Sequence, residues 1–446
     1  MERVFEKTKS ICPVCLKPLD AYKIERDDGI YLDKRCKEHG LFRVLIWRGD
    51  KASYLAWDEP APASRPTVCQ TEVTEGCPYD CGLCSDHQQQ ICCVVLEITK
   101  RCNLSCPVCF ASAGGDSEDP ALEEIGLWYD RLMAAGGPYN IQLSGGEPTM
   151  RDDLPEIIQL GREKGFSFFQ LNSNGLRLAD DPKLVRELAD AGLNCVFLQF
   201  DGVTDEPYRI LRGRPLLEKK LKAIQHLSDA GIGVVLVPTV AKGVNLDQLG
   251  QMIRFALDRM PYVRGVHFQP MSHFGRYGIA PQEDRITIPD MIKEIERQTE
   301  GALKASDFSG GGAENSYCSF HGNFMLLPDG SIKAAKMKQN CCCASSQQAR
   351  EFVARRWSGG REKTIRLIPQ KGTVRGLESL DAFLEQMESY TLAVSGMLFQ
   401  DAWTLDLNRL KSCYIMEVSP DGRMIPFCAY NLTSQSGETL YRGKPL

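Results

Sequence analysis

The chain has 446 residues, 43% of them hydrophobic and 25% charged, with a net charge of −5; this is the balance of a soluble globular protein too long for one ordinary core. The negative charge, with no basic cluster interleaved with aromatics, excludes a nucleic-acid scaffold. The charged start Met1-Glu-Arg-Val-Phe-Glu-Lys lacks the apolar core of a signal peptide, and no apolar run approaches the roughly 20 residues of a membrane helix, so a cytoplasmic protein is expected.

Nineteen cysteines fall in tight C-x₂-C and C-x₃-C groups, which without an export signal read as metal ligands in a reducing, anaerobic cell. The first group is Cys12-Pro-Val-Cys15 with Cys36-Lys-Glu-His39-Gly40, two knuckles around the alternating stretch from Tyr22 to Lys34. Cys12, Cys15, Cys36 and His39 are the candidate ligands of a ribbon-like mononuclear site within residues 1–57. Zinc would make it structural; iron would make it rubredoxin-like and able to pass an electron. A module this small has little core without a metal.

A proline- and alanine-rich stretch from Asp58 to Pro66 reads as a linker. It leads into Cys77-Pro-Tyr-Asp-Cys81-Gly-Leu-Cys84, a C-x₃-C-x₂-C triplet, and then Cys92 and Cys93. A fourth thiolate, Cys92 or Cys93, is close enough to close a cluster, so residues 58–93 are expected to hold an auxiliary [4Fe-4S] cluster on Cys77, Cys81, Cys84 and Cys92. His87 reads as a solvated loop side chain.

The apolar run Val94–Thr99 then delivers a second triplet, Cys102-Asn-Leu-Ser-Cys106-Pro-Val-Cys109-Phe110. Pro107 helps the chain turn so that three thiolates converge. Three soft ligands suit an iron–sulfur cluster and leave one iron open to a small molecule. The spacing, the aromatic after the last cysteine and the preceding strand resemble the radical S-adenosylmethionine (SAM) superfamily.

From Val94 to about Ser309 strand and helix patterns alternate. Strands are predicted at 94–99, 139–143, 167–172, 195–200, 233–240 and 265–270, with helices at 153–164, 182–191, 216–230 and 246–259. Six βα units over 94–309 predict an α/β fold, a partial (β/α)₆ TIM-like barrel, as the resemblance also implies. Chemistry collects at the C-terminal ends of such strands. There lie Ser144-Gly145-Gly146-Glu147-Pro148, then Asn172-Ser173-Asn174-Gly175, and Asp201 followed by Arg209 and Arg212. The resemblance implies that Gly145, Gly146 and Glu147 grip the α-amino group of SAM and that Asn172, Ser173 and Asn174 bond its ribose or carboxylate. Asp201 points at the same mouth, and Arg212 is a candidate for holding the SAM carboxylate as a fork. A plain polar turn and a surface salt bridge are the alternatives for the last two groups. Cys195 reads as core, and His267 and His273 as pocket-flanking or simply satisfied.

Residues 310–446 contain an internal echo. Cys318 leads into Phe324-Met-Leu-Leu-Pro-Asp329-Gly330, and Cys413 into Glu417-Val-Ser-Pro-Asp421-Gly422 and on to Cys428. Each predicts a β-hairpin with cysteine at its base, in an α+β extension. Cys318, Cys413, Cys428 and one of Cys341, Cys342 or Cys343 (Cys341 being the candidate taken) are expected to hold a second auxiliary cluster. Arg350–Arg375, rich in arginine, reads as a flexible or substrate-facing segment and 381–390 as a helix.

The full order of motifs resembles, over most of the chain, the tetraether lipid synthase family. That resemblance implies hydrogen abstraction from unactivated C–H bonds by a 5′-deoxyadenosyl radical and the joining of two lipid tails through their terminal carbons. It implies a lipid substrate met from the water side, as a peripheral contact at the inner membrane face, and a low-potential electron donor such as ferredoxin or flavodoxin. Relatives of that family methylate a small pterin precursor, the second reading; radical modification of a peptide is the third. Tail coupling predicts a long apolar tunnel, and pterin methylation a compact polar pocket.

Overall fold

The computed structural model describes residues 3–59, 64–114, 118–278, 285–311, 314–327, 329–335, 346–359 and 389–443. The N-terminal sheet is an antiparallel meander of β1 (Arg3–Ile11), β2 (Pro18–Arg26), β3 (Gly29–Cys36) and β4 (Gly40–Trp47). Its two cysteine knuckles are the β1–β2 and β3–β4 turns. Gly40 sits at φ +82°, the left-handed conformation that turn requires. The ribbon does not stand apart. Ile30 and Trp47 belong to the main hydrophobic core, and Tyr54 stacks on Tyr317 with ring centroids 4.2 Å apart. Lys34, fully enclosed, donates to Ser10 Oγ at 3.0 Å and to the Ala402 carbonyl at 2.7 Å.

The central sheet begins with six parallel strands in chain order: β5 (Cys93–Glu97), β6 (Asn140–Ser144), β7 (Phe169–Ser173), β8 (Cys195–Gln199), β9 (Gly233–Val237) and β10 (Val263–Pro270). Helices Leu122–Ala134, Leu154–Glu163, Pro182–Ala191, Leu217–Asp229 and Leu249–Leu257 return the chain between them. Pro182–Ala191 shows why the sequence punctuates so clearly. Asp181 accepts the Leu184 N–H, Pro182 opens the first turn, and Gly192 at φ +100° closes the last. Strand alternation divides the side chains. Ile141, Leu143, Leu171, Val196 and Leu198 face the helices, fully buried in the core. Their alternates face the barrel interior.

The C-terminal hairpins form as the sequence predicts: β11 (Ser319–Leu326) with β12 (Ile332–Ala334), and β14 (Ile415–Val418) with β15 (Met424–Pro426). They do not form a separate body, however. β13 (Thr391–Met397) pairs parallel with β10, and β14 pairs parallel with β5. The order is β12-β11-β13-β10-β9-β8-β7-β6-β5-β14-β15, so the six-stranded core gains a parallel strand on each edge and runs straight across the expected boundary at residue 310. An open parallel core leaves unpaired N–H and C=O groups on its outer strands, and these hairpins cover them.

Helix Ser346–Trp357 crosses the N-terminal ends of the strands. The Arg350 carbonyl accepts Asn140 Nδ2 at 3.1 Å, the Arg356 carbonyl accepts Arg264 Nε at 3.1 Å, and Gly359 N–H donates to the Asn194 carbonyl at 3.2 Å. The first part of the arginine-rich segment is thus a floor plug. Its remainder, Cys341 to Cys343, and residues 381–388 of the expected helix lie outside the described residues. Among the described residues no helix is long and apolar enough to cross a membrane.

Candidate active site

One cavity of about 300 Å³ occupies the barrel, and the motifs meet in it. Cys102, Cys106 and Cys109 line its upper mouth, on the loop after β5. Burial pushes the Cys102 thiol up to about 11, opposed by its Leu104 N–H contact and reinforced by the charges of Glu147, Cys106 and Cys109. Burial also raises Cys106, while Arg212 lowers it. Three thiolates so close are unfavourable on their own. A cationic cluster removes that penalty, and three donors leave one iron open, so the donor set fits the group the sequence implies.

The glycines of the Gly145-Gly146-Glu147 segment serve a contact with the cysteine loop itself. Gly146 N–H donates to the Thr99 carbonyl and Glu147 N–H to the Arg101 carbonyl, both at 2.8 Å. A Cβ on Gly145 would fall 2.2 Å from Thr99 O, and one on Gly146 2.2 Å from Arg101 O. Only glycine lets these two backbones run side by side, and the pairing fixes the chain leading into Cys102.

Glu147, 1% exposed, ties this segment to the next. Its Oε1 accepts Thr149 Oγ1 at 2.6 Å and Ser173 Oγ at 2.8 Å, and its Oε2 accepts the Asn174 N–H at 2.7 Å. Asn174 Nδ2 then donates to Asn103 Oδ1, inside the cysteine loop, at 2.7 Å. The three motifs are one hydrogen-bonded unit.

Asp201 and Arg212 depart from the sequence expectation. Arg212 Nε and Nη2 each bond Asp201 at 2.8 Å, Nη2 also reaches Thr239 Oγ1 at 2.8 Å, and Nη1 reaches the Val108 carbonyl at 3.0 Å. The guanidinium fork is therefore filled by Asp201 rather than offered to a ligand carboxylate. Burial alone would lower the Arg212 pKa, but Asp201 and the neighbouring thiolates outweigh it and keep the side chain charged. The pair acts as a strap on the cysteine loop.

Sequence reasoning missed Lys220. In the run Lys219-Lys220-Leu-Lys222 it looks like part of a solvated face, yet it is fully buried. It donates to the Asn174 carbonyl at 2.5 Å and to Gln199 Oε1 at 3.0 Å. Burial pulls its pKa down to about 7. Also missed was the layer of inward amides lining the barrel: Asn140 and Gln142 on β6 and Gln170 on β7 below the motifs, and Gln199 on β8 and Gln269 on β10 at the level of the mouth. The i, i+2 recurrence of polar residues inside strands covered on both sides was the available signal. His267 joins this layer, bonded through Nδ1 to Ser395 Oγ at 2.9 Å and depressed to about 4 by burial. His273 is buried beside Asp401, at 3.1 Å through Nδ1.

Cys12, Cys15, Cys36 and His39 meet at the ribbon tip with all ligand atoms within 4.8 Å of one another, the spread of a mononuclear site. Backbone N–H of Glu38 leads the effects that lower Cys36 to about 6, whereas burial raises Cys12 to about 11. Cys77, Cys81 and Cys84 surround a separate small hollow with His87 and Lys411. Cys92 does not reach it. As part of the entry into β5, its side chain faces the main cavity, where Glu314 and Arg350 are its charged neighbours. Beyond its own triplet, Cys413 is the thiol whose charge reaches Cys81. His87 is buried rather than solvated, its Nε2 2.7 Å from the Cys413 carbonyl. Burial raises Cys413 and Cys428, and the charge of nearby Cys318 adds to both. Cys341 lies outside the described residues.

The sequence matches the radical SAM superfamily over residues 96–256 and the HMPTM N-terminal zinc ribbon domain over residues 4–48. With the cysteine triplet and its barrel, this defines a radical SAM enzyme carrying an N-terminal metal ribbon. The chain is 34% identical to the 7,8-dihydro-6-hydroxymethylpterin dimethyltransferase of Methanocaldococcus jannaschii, over 96% of this chain and 93% of that one, and it belongs to that protein's family. It is also 32% identical to a probable GTP 3′,8-cyclase of Methanothermobacter marburgensis over 38% of this chain and 55% of the cyclase. Among solved structures, Streptococcus suis SuiB bound to S-adenosylmethionine aligns with a TM-score of 0.40 at 15% identity, over 48% of this chain and 47% of that one.

Proposed function

We propose that this enzyme methylates a reduced pterin rather than coupling lipid tails. The cavity floor carries the reading. Its inward positions set the amides of Asn140, Gln142 and Gln170 and the neutral His267 imidazole among the apolar faces of Phe168 and Phe197, and Val353 and Trp357 of the plug helix close it from below. A tail running down the barrel axis would meet polar groups and then Trp357. A flat heterocycle instead finds hydrogen-bonding partners and aromatic walls. The full-length family relative, whose name specifies a hydroxymethylpterin, supports the same choice.

Cys102, Cys106 and Cys109 would hold a [4Fe-4S] cluster, with SAM completing its open iron. Such a cluster would supply the one electron needed for reductive cleavage of SAM to methionine and a 5′-deoxyadenosyl radical. This chain's own residues orient and enclose. The Gly145–Glu147 and Asn172–Asn174 segments border the position SAM would take, Asp201 and Arg212 fix the cysteine loop, and the barrel excludes water. The ribbon is assigned zinc, and the Cys77 and Cys318 groups are assigned auxiliary clusters, fed by a low-potential donor of the ferredoxin or flavodoxin type.

The test is anaerobic incubation of reconstituted enzyme with reductant, SAM and 6-hydroxymethyl-7,8-dihydropterin, followed by mass spectrometry. The reading expects pterin-stimulated 5′-deoxyadenosine and a pterin product heavier by one methylene unit per methyl. Absence of any pterin product, with 5′-deoxyadenosine stimulated by lipids instead, would return tail coupling to first place.

A further inference from the structure

Gln142 on β6 and Gln170 on β7 are cross-strand partners, and both side chains line the barrel cavity one inward position below Ser144 and Asn172. Each amide has already engaged one of its two N–H donors. Gln142 Nε2 points to Cys93 Sγ at 3.3 Å, and Gln170 Nε2 donates to Asn172 Oδ1 at 2.7 Å. In this arrangement each amide turns its nitrogen to Cys93 Sγ or Asn172 Oδ1. The oxygens are left for something else. Gln170 is fully buried, and its Oε1 has no hydrogen-bond partner. A buried carbonyl oxygen without a donor is unfavourable, so the pair presents acceptors in search of neighbouring N–H groups.

The rest of the floor narrows the ligand. Phe168, Phe197 and Trp357 supply flat apolar surface, with Phe197 and Trp357 centroids 4.7 Å apart. Among the described lining residues the one carboxylate is Glu147, at the upper mouth and already bonded to Ser173 and Asn174. A cationic ring would find no counter-charge on the floor, whereas a neutral ring needs none.

We propose that Gln142 and Gln170 are the specificity-determining pair for the substrate ring, their Oε1 atoms accepting from N3–H and the 2-amino group on one edge of a neutral pterin. This rests on the pterin reading above. Two adjacent acceptors select two adjacent donors. Replacing the 2-amino group by a carbonyl, as in a lumazine, would set oxygen against oxygen and strand one glutamine.

The test compares two ligands in one protein, so that a partly destabilised variant still gives a usable ratio. Anaerobic fluorescence titration measures the affinity of 6-hydroxymethylpterin and of 6-hydroxymethyllumazine for the reconstituted enzyme, Gln170→Leu and Gln142→Leu. Wild type should prefer the pterin by about tenfold or more, the worth of one good hydrogen bond and its mispaired counterpart. At least one leucine variant should bring the ratio near one. Equal binding of both ligands by wild type, or an unchanged ratio in both variants, overturns the assignment while leaving the pterin reading intact. Binding of neither ligand by wild type defeats the pterin reading itself.

Discussion

Gly146→Ala isolates the contact between the Gly-Gly-Glu segment and the cysteine loop. The added Cβ would lie 2.2 Å from Arg101 O and 2.7 Å from Lys100 O, both backbone atoms that cannot rotate aside. Ordinary contact begins near 3.4 Å, so one strand of the pair must retreat by 3.4 − 2.2 = 1.2 Å. That retreat carries the two 2.8 Å bonds, Gly146 N to Thr99 O and Glu147 N to Arg101 O, out of range. At about 0.5–1.5 kcal/mol each, the loss is about 1–3 kcal/mol of stability. The chemical effect is larger, because the loop entering Cys102 shifts by about the 1 Å that costs roughly a hundredfold in rate. Denaturant melts, iron content and the initial rate of 5′-deoxyadenosine formation are measured on the same anaerobic preparation. The expected result is a cluster that still assembles on unchanged cysteines and a rate down about a hundredfold. Gly126→Ala is the control: its Cβ meets Leu160 Cδ2 at 3.5 Å, an ordinary contact inside a helix, and it should be neutral or stabilise by about 0.5–1 kcal/mol. Wild-type stability and rate in Gly146→Ala would refute the claim that this backbone pairing positions the loop.

Arg212→Met leaves Asp201 buried without its partner and should cost about 3–5 kcal/mol, whereas Asp201→Leu with Arg212→Met should cost less than the single change; a double variant less stable than Arg212→Met would show that the pair is not a charge-compensated strap. His267 is held near 4 in the folded chain, against 6.5 when free. The unfolded state therefore binds more protons between those values, so the stability conferred by the neutral folded ring is complete above pH 6.5 and is lost as pH falls towards 4, by on the order of 3 kcal/mol. His267→Gln should flatten that limb of the denaturation midpoint against pH. Cys36→Ser should abolish zinc measured by mass spectrometry and lower the melting temperature, because the ribbon shares the main core through Ile30 and Trp47. Cys77→Ser should lower the iron content of reconstituted protein, whereas Cys92→Ser, which faces the barrel cavity, should leave it unchanged.

The features legible in the sequence were those enforced locally. Strands 195–200 and 233–240 announce themselves as apolar runs, and Pro182 to Gly192 brackets a helix with a complete set of end signals, so the six strands and the four helices named could be read to within about three residues at each end. The cysteine triplets were legible because ligand spacing is a property of one loop. The joining of Thr391–Met397 and Ile415–Val418 to the two outer strands was not, because a strand sequence carries little information about which edge it will cover. Arg212 was misjudged for a related reason. A fork near a binding mouth suits a ligand carboxylate and a protein carboxylate equally, and only the fold shows Asp201 filling it.

The same limit applies to the choice between a lipid and a pterin, and it shows where that choice is made. The motifs at the strand ends belong to radical generation and are compatible with either substrate. On the pterin reading, substrate selection would rest with Asn140, Gln142 and Gln170 lower in the barrel and His267 across from them, isolated residues with no motif around them. Each is unremarkable in the chain, since a glutamine in a strand ordinarily faces water. Curving the sheet turns these positions inward together, and the plug helix ending at Trp357 lies beneath them. An interior meant for alkyl chains would have placed apolar side chains at those alternate positions, as the same strands do on their outer faces with Ile141, Leu143 and Leu171. The strands that bury only hydrocarbon outward place these amides inward between the flat faces of Phe168, Phe197 and Trp357, and that pairing of polar edge with apolar wall is the physical argument for a polar, flat substrate.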